Sequence, residues 1–397
     1  MMETLTDILL VTANVGSLFD NLGEIQYDWL REFYTTMDTY KPRFVALHFQ
    51  EVGGKDYKAN MAHAENFFWT IESSPEMSDF DRACVYIDSD FKTEDNFTAL
   101  GSIYFIHKSL ENIQQYDFSA KEFRSVSGRN KYAGSLYGVT TVWKEKFQRN
   151  FWPDRKWSRK GYMRTRWMIH NQGLDLVNVH LFHDASNLVA CKSSPSVYST
   201  YRQKALRYVI SRISDDFSTM PFFLFGDFNF RLDTLSLVQD LSTSAEVQMV
   251  MKDSTNEVEK IIYEEKGNDC KQVLFQIETK RFLYLHHKLF REDTGRELLE
   301  YDRETAAFQD IITEEEILFR PSYPYSEEYT KPTQYMNTRC PSWCDRILMS
   351  HSTQDVIYRS NDGDSNVVYN ILGQNVCMGD HKPVFLFFAL KSNVQTH

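Results

Sequence analysis

The chain has 397 residues with 42% hydrophobic and 15% aromatic content, including 29 Phe and 22 Tyr, which marks a globular protein able to build a large core, at a length that allows two or three domains. Its formal charge, 44 basic against 55 acidic residues, is −11, which argues against a protein that tracks a long polyanion but leaves room for a small anionic ligand met by a local basic cluster. No run approaches eighteen apolar residues, the first seven residues lack a basic or apolar leader, and the six cysteines are too scattered for a zinc ribbon or disulfide framework. A reduced, intracellular, soluble protein is expected.

In chain order, residues 7–14 (DILLVTAN) read as a buried strand and 24–40 as an amphipathic helix, with Trp29, Phe33 and Met37 at four-residue spacing. Strands are predicted at 44–49, near 82–87, 98–107, 162–170 and 174–181, a helix over 201–213, and strands at 222–225, 346–350 and 384–390. The alternation predicts a mixed α/β chain. Residues 234–316 differ. Rich in Glu and Lys, with Val258, Ile261 and Ile262, then Phe282, Leu285 and Leu289 at helical spacing, they predict a helical insertion. No repeat, low-complexity tract or Gly/Ser linker marks a domain boundary.

The run from Phe222 to Arg231 ends in a carboxylate and a carboxamide two residues apart. Gly226 is expected to let the strand end turn sharply, and Asp227 and Asn229 then share one face. Two readings stand level: a pair that activates water and binds a phosphoryl oxygen, or a turn capped by its own Asp and Asn. Other polar groups gather at predicted strand ends: Asn14, Glu51 before Gly53 and Gly54, Asn178 with His180, Asp345 with Arg346, and Asp380 with His381. Each alone has a bland reading, as a solvated carboxylate, a structural histidine or a weak surface ion pair; their joint occurrence favours a site. Lys156, Arg159, Lys160, Arg164 and Arg166, interleaved with Trp157, Tyr162 and Trp167, form a basic cluster. Arg164 and Arg166 share a strand face that points either at an anion or, in the favoured reading, at solvent.

Two segments make the sequence recognisable. FLFGDFNFR (223–231) resembles the GDxNxR segment, and PSWCDRIL (341–348) the PxWCDRxL segment, of the inositol polyphosphate 5-phosphatases within the endonuclease/exonuclease/phosphatase superfamily, and the likeness extends over essentially the whole chain. The stretches 182–187 (FHDASN) and 321–325 (PSYPY) resemble the type I enzymes, associated with soluble inositol phosphates. The resemblance implies a single catalytic domain over 1–397 in the α/β (α+β) class: a DNase I-like four-layer sandwich of two packed, mostly antiparallel sheets flanked by helices. It implies magnesium-dependent hydrolysis of the 5-phosphate of inositol 1,4,5-trisphosphate and 1,3,4,5-tetrakisphosphate, ending a calcium-mobilising signal. The alternatives are a phosphoinositide lipid 5-phosphatase, or a nuclease or sphingomyelinase of the same superfamily; PSWCDRIL and the acidic charge argue against the latter two, and the intact polar set against a non-catalytic scaffold.

Through the same resemblance Glu51 is the principal Mg²⁺ ligand, with Asn14 nearby and Asp380 in the metal's outer shell. Asp227 orients and deprotonates the attacking water, Asn229 holds that water or a phosphate oxygen, and Asp227 is expected to have a raised pKa through nearby anions. His381 donates to the scissile phosphate while Asp345 accepts from its other ring nitrogen, and His180 and Asn178 add donors opposite. Cys344 lacks a CxxxxxR phosphate loop, which speaks against a thiolate nucleophile. Arg159 and Lys160 resemble the element that contacts the 1-phosphate, Arg339 the arginine that grips the 4-phosphate, and Tyr323 its neighbour. Pro324 and Asn337 depart from the family by replacing lysines, and Lys331 or Lys382 is expected to compensate. The end of the sequence shows no CaaX box, so the expectation is a cytoplasmic monomer that binds no nucleic acid and reaches a membrane only through a prenylated tail not in this sequence.

Overall fold

A computed structural model of the chain describes residues 5–19, 23–152, 159–215, 220–265, 272–285, 287–290, 292–360 and 366–393; Lys156, Trp157, Cys270 and the last four residues lie outside them. Eight strands position the site: β1 (Leu5–Asn14), β2 (Phe44–Gln50), β3 (Gly101–Ile106), β4 (Gly161–Ile169), β5 (Gln172–His180), β6 (Phe222–Asp227), β7 (Asp345–Ser350) and β8 (Val384–Lys391). In one eight-stranded sheet β1 lies between β8, antiparallel, and β2, parallel, with Asn14 opposite Gln50, and β3 follows antiparallel to β2. In the second, also eight-stranded, the order β7-β6-β5-β4 is antiparallel except for the β5–β6 pair.

The sheets pack face to face through Leu10, Phe44 and Tyr104 on one side and Trp167, Phe223 and Ile347 on the other. Alternate residues of the same strands face outward. Leu9, Val11 and Leu47 receive Trp29 and Phe33 from helix Glu24–Tyr40 and Phe67 and Phe68 from helix Tyr57–Ser73, whereas Val177, Val179 and Leu224 receive Leu206 and Val209 from helix Val197–Asp215. Burial on both faces explains why these strands read as nearly continuous apolar runs. Each fully buried large side chain contributes roughly 1.5–3 kcal/mol. The result is the four-layer α/β sandwich expected.

Gly226 has a different purpose from the one its position suggests. It lies within β6, and a Cβ there would sit 1.9 Å from the Val179 carbonyl oxygen, so the missing side chain lets β5 and β6 close. The chain reverses only after Asp227, where Asn229 takes a left-handed φ of 52°.

The segment 234–316 is not a helical insertion. Among its described residues only Thr234–Leu241 is α-helical; four antiparallel strands follow, Ala245–Met251, Val258–Glu265, Val273–Glu278 and Arg281–Tyr284, and then short 3-10 turns. Val258, Ile261 and Ile262 sit in a strand, where Ile261 pairs with Ile277 and Tyr263 with Phe275. Dense β-branched and aromatic residues favour this pairing, and three apolar residues in five fit either period. Phe275, Ile277, Phe282 and Tyr284 are buried in the same cluster as the inter-sheet core.

Candidate active site

The register of the second sheet lines up three ionisable residues at one end. His180 on β5 lies opposite Asp227 on β6, which lies opposite Asp345 on β7, and all three are at most 2% exposed. The first sheet meets them there, because the Asn14 Nδ2 at the end of β1 donates to Asp227 Oδ2 at 3.0 Å. The Asn229 backbone N–H donates to Asp227 Oδ1 at 2.8 Å and its Nδ2 to Oδ2 at 3.2 Å; His180 Nε2 is also 3.2 Å from Oδ2. Asn229 is itself held by Arg231, whose Nη2 donates to its Oδ1 at 2.6 Å. Burial favours the neutral acid at Asp227, but the His180 hydrogen bond and the nearby His381 and Lys160 outweigh it and drive the pKa far below the usual carboxylate range. The expected rise is therefore reversed, because the protein surrounds this carboxylate with donors and cations.

His381 precedes β8 and donates from Nδ1 to Asp345 Oδ2 at 2.8 Å, and the Ser322 hydroxyl donates to the same oxygen at 2.7 Å. Burial disfavours an imidazolium, yet Asp345 and Asp227 outweigh it and raise the His381 pKa. The Tyr323 ring lies 4.4 Å from the His381 ring, and the Arg231 guanidinium lies over Tyr323 at 4.6 Å. Tyr323, Arg231 and Ser322 therefore wall one side. Arg231 and Ser322 carried no assigned role in the sequence, although Arg231 closes the GDxNxR segment and Ser322 precedes Tyr323.

Glu51 closes the other side. It follows β2 with a left-handed φ of 55°, a conformation that costs a residue with a Cβ roughly 1–2 kcal/mol and is typical of functional positions. Its Oε1 lies 3.8 Å from Lys160 Nζ and 3.7 Å from His180 Nε2. Burial would raise its pKa, but Lys160, His180 and Arg159 hold it down to about 2. The Lys160 ammonium also rests against His180 Nε2, and burial lowers its pKa to about 8 despite Glu51 and Asp227. A Cβ on Gly16 would lie 2.7 Å from Glu51 Oε2 and 3.2 Å from Asn14 Oδ1. A carboxylate and an amide oxygen thus converge over a glycine, a donor set that suits a hard divalent cation. Asp380 accepts from the Ser17 hydroxyl at 2.8 Å and has a pKa raised by burial, with Glu51 adding to the rise. Among the described residues, ligand atoms of Asp227, Asp345 and His381 also lie within 4.8 Å of one another, but the proton that His381 shares with Asp345 keeps the ring from acting as a ligand.

Arg159 donates to the Gly54 carbonyl at 3.0 Å and lies over the Tyr57 ring. Arg339 donates to Asn187 Oδ1 and the Thr279 carbonyl, each at 2.9 Å, and to the Asp184 carbonyl at 3.1 Å. Several expectations need correction. Lys382 is fully buried and donates to the Gly373 and Val376 carbonyls, so it is turned away from any ligand. Lys331 is paired with Glu328 at 2.5 Å. Asn178 spends its Nδ2 on the Phe49 and Gly101 carbonyls and its Oδ1 on Gln50, and so ties the two sheets together instead of offering donors. Arg164 and Arg166 are buried against Asp175, so their face meets neither solvent nor a foreign anion. Burial raises the Cys344 thiol well above its ordinary value.

Comparison with known proteins bears on the family and the fold. The Endonuclease/Exonuclease/phosphatase family 2 matches residues 93–387, so Asn14 and Glu51 come from the stretch before the matched region. Inositol polyphosphate-5-phosphatase A of Homo sapiens is 53% identical over 386 residues, 97% of this chain and 93% of that protein. The probable type I inositol 1,4,5-trisphosphate 5-phosphatase of Caenorhabditis elegans is 34% identical, over 96% of this chain and 99% of that protein. The crystal structure of the inositol polyphosphate 5-phosphatase domain of SPsynaptojanin, in complex with inositol (1,4)-bisphosphate and calcium ion, shares the fold at TM-score 0.55 and 13% identity, covering 98% of this chain and 85% of that one. A mutant Cimex nitrophorin ferrous NO complex does so at TM-score 0.51 and 14% identity, covering 98% and 99%. Since a nitrophorin shares the architecture, the fold alone does not choose a chemistry. The close relatives do: the chain belongs to the type I inositol polyphosphate 5-phosphatases, hydrolases of the endonuclease/exonuclease/phosphatase family.

Proposed function

We propose that this protein removes the 5-phosphate of soluble inositol 1,4,5-trisphosphate and inositol 1,3,4,5-tetrakisphosphate in the cytoplasm, with Mg²⁺ as cofactor. The observation that supports this most is the meeting of the row His180, Asp227 and Asp345 with the Glu51 and Asn14 oxygens where the two sheets end. Phosphomonoester hydrolysis needs a water held in line with the leaving oxygen and positive charge around the equatorial oxygens. Asp227, ionised at neutral pH, takes the water: its fixed lone pairs orient the nucleophile and receive its proton as the phosphorus–oxygen bond to the ring breaks. The His381 imidazolium, held by Asp345, donates to a phosphoryl oxygen, and Lys160 with His180 faces the opposite side. Bound between Glu51 and Asn14, Mg²⁺ would neutralise developing charge.

The decisive experiment is positional. The protein is incubated with inositol 1,4,5-trisphosphate and Mg²⁺ and the bisphosphate product is identified. Release of the 5-phosphate is expected, and loss of any other phosphate overturns the reading. Faster turnover of lipid vesicles than of soluble headgroups would reassign the substrate to phosphoinositide lipids.

A further inference from the structure

The inserted sheet has one edge tied down and one left open. Its strands run in the order Ala245–Met251, Val258–Glu265, Val273–Glu278, Arg281–Tyr284, and the last is fastened to the rest of the protein by the Phe282 N–H, which donates to the Asn337 carbonyl at 3.0 Å. The first pairs with Val258–Glu265 on one side; among the described residues, no hydrogen bond from elsewhere reaches the backbone of residues 247–251. Directly opposite residues share a face of the sheet, so burial can be followed from strand to strand. Ile277 is fully buried, its partner Ile261 is half-buried, and Met249, opposite Ile261, is 64% exposed; in the next row Phe275 is buried, Tyr263 half-buried and Val247 51% exposed. The apolar face of the sheet thus runs out past the core and ends on a strand whose outer N–H and C=O groups face solvent. Soluble proteins ordinarily blunt such an edge with lysine or proline. Residues 246–251 contain neither, and a bulge comes only at the end, between Val250 and Met251.

We propose that the strand Ala245–Met251 is a docking edge for an extended segment of another protein, which adds to the sheet as a further strand with apolar residues beside Val247 and Met249 and Lys or Arg at the alternate positions. Backbone pairing supplies affinity in strand addition, and alternate side chains supply selectivity. Charge selects the basic partner. Between Ala245 and Glu265 the sequence has six acidic residues against two lysines, and both lysines are already paired, Lys252 with Glu257 at 3.4 Å and Lys260 with Glu278 at 3.8 Å. On the face opposite Val247 and Met249, Glu246 and Glu264 stand directly across from each other, a like-charge pair that a cation on an added strand would relieve. A second copy of this chain, or an anionic membrane, would instead set negative charge against this acidic excess.

The test is fluorescence anisotropy of the full chain with a labelled synthetic peptide, Lys-Val-Lys-Ile-Lys-Val-Lys, beside a peptide of the same composition with its lysines in one block and a third with proline at its central position. The alternating peptide should bind saturably and the other two at least tenfold more weakly, since a block cannot present both faces and proline breaks the ladder. Met249→Ser should weaken the alternating peptide about tenfold, the scale of one apolar side chain kept from burial, while its circular dichroism melt stays at the wild-type temperature because the side chain lies outside the core. No saturable binding, equal affinity for the block peptide, or an unchanged affinity in Met249→Ser overturns the proposal. Sedimentation velocity of the wild type alone gives a further check: concentration-dependent dimers that Met249→Ser abolishes would overturn it in favour of a second copy at this edge.

Discussion

The two ends of β5 bury charge in opposite ways. Near its start Asp175 receives Arg164 at 2.8 Å and Arg166 at 2.7 Å and 2.9 Å, so both carboxylate oxygens are answered, and Arg164 also reaches the Arg212 and Ile213 carbonyls at the end of helix Val197–Asp215. Of the Asp175, Arg164 and Arg166 side chains, Arg164 Nε alone lacks an acceptor among the described residues. At its other end His180 Nδ1, Asp345 Oδ1 and Arg231 Nη1 are all buried without a partner among the described residues. Leaving such groups unmade is costly. The difference separates two kinds of buried charge: the first set is closed by the protein's own side chains, and the second, which the proposed function gives to a ligand, is left open where the sheets end.

Breaking the open end should abolish chemistry. Asp227→Ala is expected to lower turnover at least ~10²- to 10⁴-fold, the usual contribution of a positioned base, and also to lower the melting temperature, because Asn14, Asn229 and His180 lose their buried acceptor. Phosphate release per folded molecule and a circular dichroism melt separate the two, and wild-type turnover in the molecules that stay folded would place Asp227 with the structural charges alone. Breaking the closed end should do the reverse. Asp175→Ala strands two buried guanidiniums and is expected to cost about 3–5 kcal/mol in denaturant unfolding, while the molecules that stay folded keep wild-type turnover.

Much of this contrast was legible in the sequence, for a physical reason. Apolar runs buried on both faces stop abruptly at polar residues, so Asn14, Asp227 and Asp345 announced themselves as strand ends, and the Trp29, Phe33, Met37 stripe located helix Glu24–Tyr40. Helix Tyr57–Ser73 escaped because its buried face mixes Met61 and Ala64 with Phe67 and Ile71, a stripe diluted by small and polar neighbours. Whether a strand-end side chain faces a ligand or a carbonyl depends on pairing that the sequence does not encode locally: Asn178, across from Phe225, points at the other sheet, while His180, across from Asp227, points at the site. The depression of Asp227 had the same origin, since its cations come from strands distant in the chain.

A finer cut within the open end separates holding a proton from making the site. Asp345→Asn removes the negative charge that keeps His381 protonated, so the His381 pKa should fall toward its ordinary value. If the protonated ring is the active form, as the proposed mechanism has it, the alkaline limb of the rate–pH profile should move to lower pH, with turnover reduced roughly 10-fold or more. A profile with an unmoved alkaline limb would show that Asp345 does not set the charge of His381.

The smallest expected effect on activity comes from Lys382, which stands next to His381 in sequence but belongs with the closed charges. Its Nζ donates to the Gly373 and Val376 carbonyls and lies 4.8 Å from the Tyr325 ring centroid. Burial lowers its pKa to about 8, the mark of an ammonium removed from water and compensated by backbone. Lys382→Met keeps the volume and strips the donors, so two carbonyls lose their partner at a cost of about 1–3 kcal/mol. Activity should follow the fold: kcat/KM within about twofold of wild type at a temperature where both are folded. A tenfold rise in KM for inositol 1,4,5-trisphosphate without loss of stability would move Lys382 into the pocket, and sequence adjacency to His381 would then have outweighed the contacts its ammonium makes.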